Sequence, residues 1–252
     1  MAPDSGPGPF SDAYTPAEIA RRVEASGVAK TGLPLVPLAT LGVLAGAFIA
    51  FGAMFYTLVA SDPSLGFAAK RVLGGAVFSL GLILVLVGGA ELFTGNIMIA
   101  MGWADGKISP FRVLRNWAIV WPANLLGAAA TALFVHASGI LDTGTGDMAR
   151  TAAAIATAKA ELGWFEAVMR GLLCNVLVCL AVWLTMAARD VTGKVLVILF
   201  PITAFVALGF EHSVANMYFL PIGWLLGADG VTPATIAYNL LFVTAGNSIG
   251  GG

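Results

Sequence analysis

The stretch Gly209-Phe210-Glu211-His212-Ser213-Val214-Ala215-Asn216 decides the fold. It sets a carboxylate beside an imidazole in the middle of a long apolar run. From Val195 to Ala228, Glu211 and His212 are the only charged or imidazole side chains. As one helix the run would reach about 50 Å at 1.5 Å per residue, against a hydrocarbon core of about 30 Å. It is too long for one simple span and too short for two. The expected resolution is a span that breaks near Glu211-His212, where two half-helices meet at an irregular polar turn. Such backbone is tolerated at membrane depth only where protein buries it or a cavity lies beside it.

The same device occurs earlier. From Val72 to Ala104 the one charged side chain is Glu91, in Glu91-Leu92-Phe93-Thr94-Gly95-Asn96. Both breaks read Glu, four residues, then Asn, and both are followed by Gly-Trp (Gly102-Trp103, Gly223-Trp224). They lie nearly half the chain apart. Interrupted apolar segments at matching places in two halves point to inverted repeats and to transport. The halves match further on: Asn124-Leu125-Leu126-Gly127-Ala128 follows Asn96 at nearly the interval at which Asn247-Ser248-Ile249-Gly250-Gly251 follows Asn216.

Composition agrees with a membrane setting. The chain is 58% hydrophobic and 11% charged, about half the charge fraction of a soluble domain. A net charge of −1 gives no basic surface for nucleic acid. Cys174 and Cys179, five apart in one apolar run, make neither a disulfide framework nor a metal site and read as packing residues. The start of the chain, Met1 to Tyr14, is rich in Pro and Gly and lacks a signal peptide's basic start and apolar core.

Taken in order, residues 1–34 form a tail. Thr15-Pro16-Ala17-Glu18 is a capping box with proline at the first helical position, so an amphipathic surface helix starts there, with Gly27 as its expected stop. The channel domain is 35–252: Leu35 to Ala60 is the first span, the broken second follows, and Trp117 to Ala137 is the third, with Trp117 and Trp121 suited to an interface. Asp105 to Asn116 reads as a loop. Ser138 to Gly163 is the longest loop, with a helical middle from Met148 to Ala160. Trp164 to Ala188 is the fourth span, the broken fifth follows, and Thr232 to Gly252 is the sixth or part of it. The apolar Gly250-Gly251-Gly252 end suggests a longer natural chain. The two repeats are 35–138 and 164–252. Three spans in each is an odd number, so the second repeat inserts upside down. Lys and Arg divide eight to five in favour of the N-terminal side, which places both termini in the cytoplasm.

A half-helix starting after each break offers unpaired N–H groups and a partial positive charge that draws anions. The flanks are apolar, however: Phe78 and Leu82 precede the first break and Phe205 the second. Taking a bare ion into such a slit costs up to tens of kcal/mol in the Born limit. Protonating an anion of pKa about 4 at pH 7 costs roughly 4 kcal/mol. Protonation is the lower barrier, which selects small monovalent anions of weak acids. His212 is the residue expected to touch them. Glu211 and Glu91 would repel an anion and are expected to hold the breaks open by accepting loop N–H groups. Thr94 and Asn247 are either pore donors or helix-packing groups. Lys159 is a candidate attractor outside the membrane, and His136 an interfacial residue.

Four segments closely resemble signatures of the formate/nitrite transporter family: Ala90 to Asn96, Gly209 to Met217, Gly246 to Gly251, and Arg170-Gly171-Leu172-Leu173-Cys174-Asn175 with Val178 to Trp183. The resemblance runs from about Thr15 to the end. It implies an all-α membrane protein with an aquaporin-like protomer of six spans in two inverted repeats, the second and fifth broken. It also implies five protomers in a ring with one pore each, in the bacterial inner membrane. Carried over by position, His212 is the central pore histidine, Thr94 the threonine of the second-span loop, Asn247 the asparagine beside the histidine and Lys159 the vestibule lysine. Phe78, Leu82, Leu92, Phe93 and Phe205 match constriction positions. Asn96 and Asn216 belong with Glu91 and Glu211 as loop-structuring residues. The family's mechanism is attraction, protonation and passage as the neutral acid.

Phe78-Ser79-Leu80-Gly81-Leu82 and the Phe205 region look like formate-type members, whereas the short Gly227 to Val231 loop is closer to nitrite-type ones. Formate is preferred, with nitrite as the alternative. No cofactor, metal or enzymatic activity is expected. A membrane-embedded haem or redox protein would need a second ligand at matching depth, and a neutral-solute channel of the aquaporin kind would carry Asn-Pro-Ala; neither is visible.

Overall fold

The computed structural model describes residues 14–252, so residues 1–13 of the expected tail lie outside it. Among the described residues the regular structure is helical: α1 Pro16–Thr31, α2 Leu35–Ala60, α3 Phe67–Phe78, α4 Leu80–Gly88, α5 Phe93–Asn96, α6 Ile99–Ala104, α7 Pro110–Ala137, α8 Asp147–Ala160, α9 Trp164–Ala187, α10 Val191–Leu208, α11 Ser213–Leu225 and α12 Pro233–Gly251. Five rods are long and apolar enough to cross a membrane: α2, α3 continuing into α4, α7, α9 and α10. α12 has 19 residues and includes Asn239, Thr244, Asn247 and Ser248, which dilute its hydropathy.

The N-terminal capping box is present, with Thr15 and Glu18 each accepting the other's backbone N–H. Gly27 does not end the helix. The buried positions of α1 are Ile19, Val23, Gly27 and Thr31, so Gly27 lies on the packed face, close to Ile99 and Ile108. The helix stops at Gly32 instead. The third span also starts earlier than expected. Ser109 caps α7 through Arg112 N–H, with Pro110 at the first position, so Arg112 and Arg115 belong to helix rather than loop. Trp117 and Trp121 are half-buried beside a groove between α7, α11 and α12, and their indole N–H groups donate to the Asn96 carbonyl (3.0 Å) and to Thr244 Oγ1 (3.1 Å). A ring N–H withdrawn from water needs such an acceptor.

Both expected breaks are present. α4 ends at Gly89 (φ 82°) and α10 at Gly209 (φ 75°), each in the left-handed region that favours glycine at a helix end. The chain then runs extended and restarts. Leu92 (φ −99°, ψ 124°) stands before α5, and His212 (φ −110°, ψ 113°) stands before α11. The restarts differ, since α5 is one turn long and α11 runs for 13 residues.

Close packing holds the breaks in register. α2 lies against α7, and α9 against α12, with backbones nearly touching. A Cβ on Gly127 would fall 1.9 Å from the Val43 carbonyl oxygen, and one on Gly246 2.2 Å from that of Val168. Small residues at such crossings let apolar helices gain dispersion contacts where lipid offers no hydrophobic drive.

Candidate functional site

The exposed backbone of each break is satisfied by one asparagine from the following long helix. In the first half Phe93 N–H donates to Asn124 Oδ1 (2.8 Å), and Asn124 Nδ2 donates to the Gly42 and Glu91 carbonyls (2.7 and 2.9 Å). In the second, Ser213 N–H donates to Asn247 Oδ1 (2.8 Å), and Asn247 Nδ2 donates to the Gly171 and Glu211 carbonyls (2.7 and 2.9 Å). Both Asn247 amide hydrogens are therefore committed to backbone. Of the two roles open to Asn247, these bonds fit helix packing: the side chain is a strut between α12, α9 and the second break.

A second matched set surrounds each glutamate. Lys30, in the last turn of α1, donates to Glu91 Oε1 (2.8 Å) and Asn96 Oδ1 (3.0 Å). Asn96 Nδ2 donates to Glu91 Oε2 (2.7 Å) and Asn116 Oδ1 (3.0 Å). Lys159, in the last turn of α8, donates to both Glu211 oxygens (2.9 Å each). Asn216 Nδ2 donates to Glu211 Oε2 (2.6 Å) and Asn239 Oδ1 (2.8 Å). The two carboxylates thus hold side-chain lysines and amides, not the loop N–H groups expected for them. A buried carboxylate needs a cation beside it, because uncompensated charge at low dielectric is prohibitively costly. The Glu91 and Glu211 N–H groups bond instead to the Leu41 and Arg170 carbonyls.

Lys30, Asn116 and Asn239 carry these networks, and sequence reasoning missed all three. A signal was there: Asn116 and Asn124 are eight residues apart, as are Asn239 and Asn247, a spacing that keeps both amides near one helix face.

Where the breaks meet, His212 Nε2 lies 2.8 Å from Thr94 Oγ1. His212 Nδ1 accepts the Ala215 N–H at 3.1 Å, which an imidazolium could not do. The ring is therefore neutral, with its proton on Nε2 directed at the threonine hydroxyl. Phe205 stacks on the imidazole (centroids 5.8 Å apart) and meets Phe78 edge to face at 5.7 Å. Thr94 is fully buried, and His212 and Phe205 are nearly so.

Two chambers flank this contact, and no residue lines both. One, of about 180 Å³, lies on the α8 side against Lys159, His212, Phe78 and Phe205. The other, of about 50 Å³, lies on the α1 side against Lys30, Asn96, Leu82 and Leu92. Phe78, Phe205 and His212 thus line the α8-side chamber, Leu82 and Leu92 line the α1-side one, and the Thr94–His212 contact lies between them. Phe93 falls elsewhere: its ring packs edge to face on Trp117 (6.2 Å) and lines an outer groove with Trp121 and Pro221. His136 is exposed at the end of α7. Lys159 is at the chamber wall but bound to Glu211, with its side chain 14% exposed.

Apolar rods enclosing two lysine-lined chambers, with paired helix breaks between them, make a multi-pass membrane protein of the transporter class. The family model described as formate/nitrite transporter matches residues 17–252. Similar proteins include the probable formate transporter of Methanothermobacter thermautotrophicus, 43% identical over 94% of this chain and 92% of that one. The formate channel FocA of Escherichia coli strain K12 is 35% identical over 97% of this chain and 92% of its own. Among solved structures, a pentameric formate channel with formate bound superposes with a TM-score of 0.81 at 35% identity, over 86% of this chain and 92% of that one. The chain belongs to the formate/nitrite transporter family.

Proposed function

We propose that this protein conducts small weak-acid monoanions, formate foremost, and that each passes the waist between the two chambers as the neutral acid. The observation that carries the reading is the buried Thr94–His212 contact, with Phe78, Phe205, Leu82 and Leu92 near it, between two chambers that each contain a lysine. An anion gathers in a chamber, drawn by cations there. It takes a proton from chamber water, crosses as the uncharged acid, and returns the proton on the far side. Proton and anion therefore move together. The Thr94–His212 pair supplies the polar contact at mid-crossing, where the acid would otherwise meet only hydrocarbon. The neutral imidazole neither gains nor loses a proton over the cycle.

The matched Lys–Glu–Asn–Asn sets support an arrangement of six spans as two inverted three-helix repeats, with α12 as the sixth, in an aquaporin-like protomer. The likeness to a pentameric channel supports a ring of five, each with its own pore. The lysine and arginine balance supports an orientation with both termini in the cytoplasm, and the likeness to the formate channel of Escherichia coli supports a bacterial inner-membrane setting. Nitrite is the competing substrate, favoured by the short turn between α11 and α12.

Proteoliposome uptake of formate, nitrite, chloride and glycerol at two pH values tests the reading. Formate and nitrite are expected to enter faster at the lower pH and chloride not at all. Chloride entering as fast as formate would contradict it.

A further inference from the structure

Of the four charged groups that line the α8-side chamber, three are already engaged. Glu211 holds Lys159 through both oxygens, and Arg170 pairs with Glu166 and reaches the Gly209 carbonyl at 3.5 Å. Arg71 is different. It lies in the first turns of α3 and lines the same chamber as His212. Among the described residues it makes no hydrogen bond or ion pair. Its guanidinium lies over the Phe67 ring at a cation–π distance of 5.4 Å and beside Gly209, where a Cβ would lie 3.3 Å from Nη1. Gly209 is the left-handed residue that ends α10, so any larger residue there would crowd the arginine. The Tyr56 ring packs over Gly74, one turn further along α3, and stands edge to face with Phe219 at 6.0 Å. Tyr56 also lines the chamber, and its hydroxyl has no partner among the described residues.

Arg71 stands seven residues before Phe78 on one helix, which sets the two Cα atoms about 10 Å apart along the axis. A guanidinium with its donors unclaimed, upstream of the waist, suits one class of ligand. Its planar fork matches a planar two-oxygen anion such as a carboxylate, with two parallel N–H···O bonds, and gives no such advantage to a spherical ion.

We propose that Arg71, with the Tyr56 hydroxyl as second donor, is a docking subsite for planar two-oxygen monoanions, which they occupy before reaching His212. The subsite rests on the transport reading above and adds a capture step to it. It binds the anionic form and so sets how much substrate waits at the waist, whereas the waist sets how fast it crosses.

The test is initial formate uptake into proteoliposomes over a concentration series, for wild type, Arg71→Ala, Arg71→Lys and Tyr56→Phe. Arg71→Ala is expected to raise KM about tenfold, the scale of one charge-assisted hydrogen-bonded contact, with maximal rate within about twofold of wild type. Arg71→Lys keeps the charge but not the fork and is expected to recover only part of that loss. Tyr56→Phe is expected to raise KM about threefold, the scale of one neutral hydrogen bond. An unchanged KM in Arg71→Ala, or KM and maximal rate changing together, overturns the subsite. Arg71→Lys matching wild type overturns the bidentate contact, and an unchanged KM in Tyr56→Phe overturns the second donor. Wild-type vesicles that take up no formate would contradict the transport reading instead, so the two failures are distinguishable.

Discussion

His212 Nε2 and Thr94 Oγ1 meet at 2.8 Å across 118 residues of sequence. Each sits at the restart of a broken helix, and they are the polar groups that the two breaks present to each other. The relationship is unequal: His212 stands before α11 where Leu92 stands before α5. One break supplies the imidazole, the other a hydroxyl beside a leucine.

Removing this contact should slow permeation without unfolding the protein. Thr94→Val keeps shape but leaves the Nε2 proton without an acceptor, an expected cost of about 1–3 kcal/mol. Formate flux should fall about tenfold or more, and the thermal unfolding midpoint should drop by several degrees without loss of the fold. His212→Asn is expected to lose preference for weak acids with the fold intact. Normal formate transport by His212→Asn, with unchanged pH dependence, would make the histidine structural.

Opening the waist should cost selectivity before it costs rate. Phe205 touches both Phe78 and His212, so Phe205→Ala removes a wall from the dry segment and admits water. Chloride permeability, expected to be negligible in wild type, should become measurable in vesicles. A variant that still excludes chloride places the barrier elsewhere.

The buried ion pairs should matter to stability more than to transport chemistry. Glu211→Gln leaves Lys159 uncompensated, and breaking a buried pair costs about 3–5 kcal/mol. Glu91→Gln should cost less, because the Lys30 side chain is 28% exposed against 14% for Lys159 and water takes over part of the role. Thermal unfolding in detergent should rank the variants wild type, Glu91→Gln, Glu211→Gln, from most to least stable.

Helix crossings leave no room for a methyl group. Gly246→Ala would place a carbon 2.2 Å from the Val168 carbonyl, forcing α9 and α12 apart at an expected cost of about 3 kcal/mol. Since Asn247 bridges the same helices to the second break, the loop should loosen with them. Reduced yield of folded protein, with faster proteolysis near Glu211, is the expected outcome.

Much of this arrangement was legible before any coordinates. The first span, the two breaks and the start of the N-terminal helix are marked by apolar length, by the two lone glutamates and by a capping signal. Gly27 and the start of α7 were not, because a packing glycine resembles a stop and arginines at a helix start resemble a loop. At the site, His212 and Thr94 were visible as polar residues in an apolar setting, but their meeting was not, since nothing local relates positions so far apart in sequence. Lys30 looked like one more flanking charge until α1 brought it onto Glu91. Asn247 looked able to face a pore, and only the count of its hydrogen bonds shows its amide spent on backbone.

The most direct test of the central claim is proton uptake measured together with formate flux in wild-type proteoliposomes, with a pH dye inside and no applied voltage. Inward formate gradients are expected to carry one proton per formate, acidifying the lumen, with flux rising as external pH falls toward the formate pKa. Formate entering as a bare anion, with no accompanying proton and a flux set by membrane voltage, would contradict passage as the neutral acid.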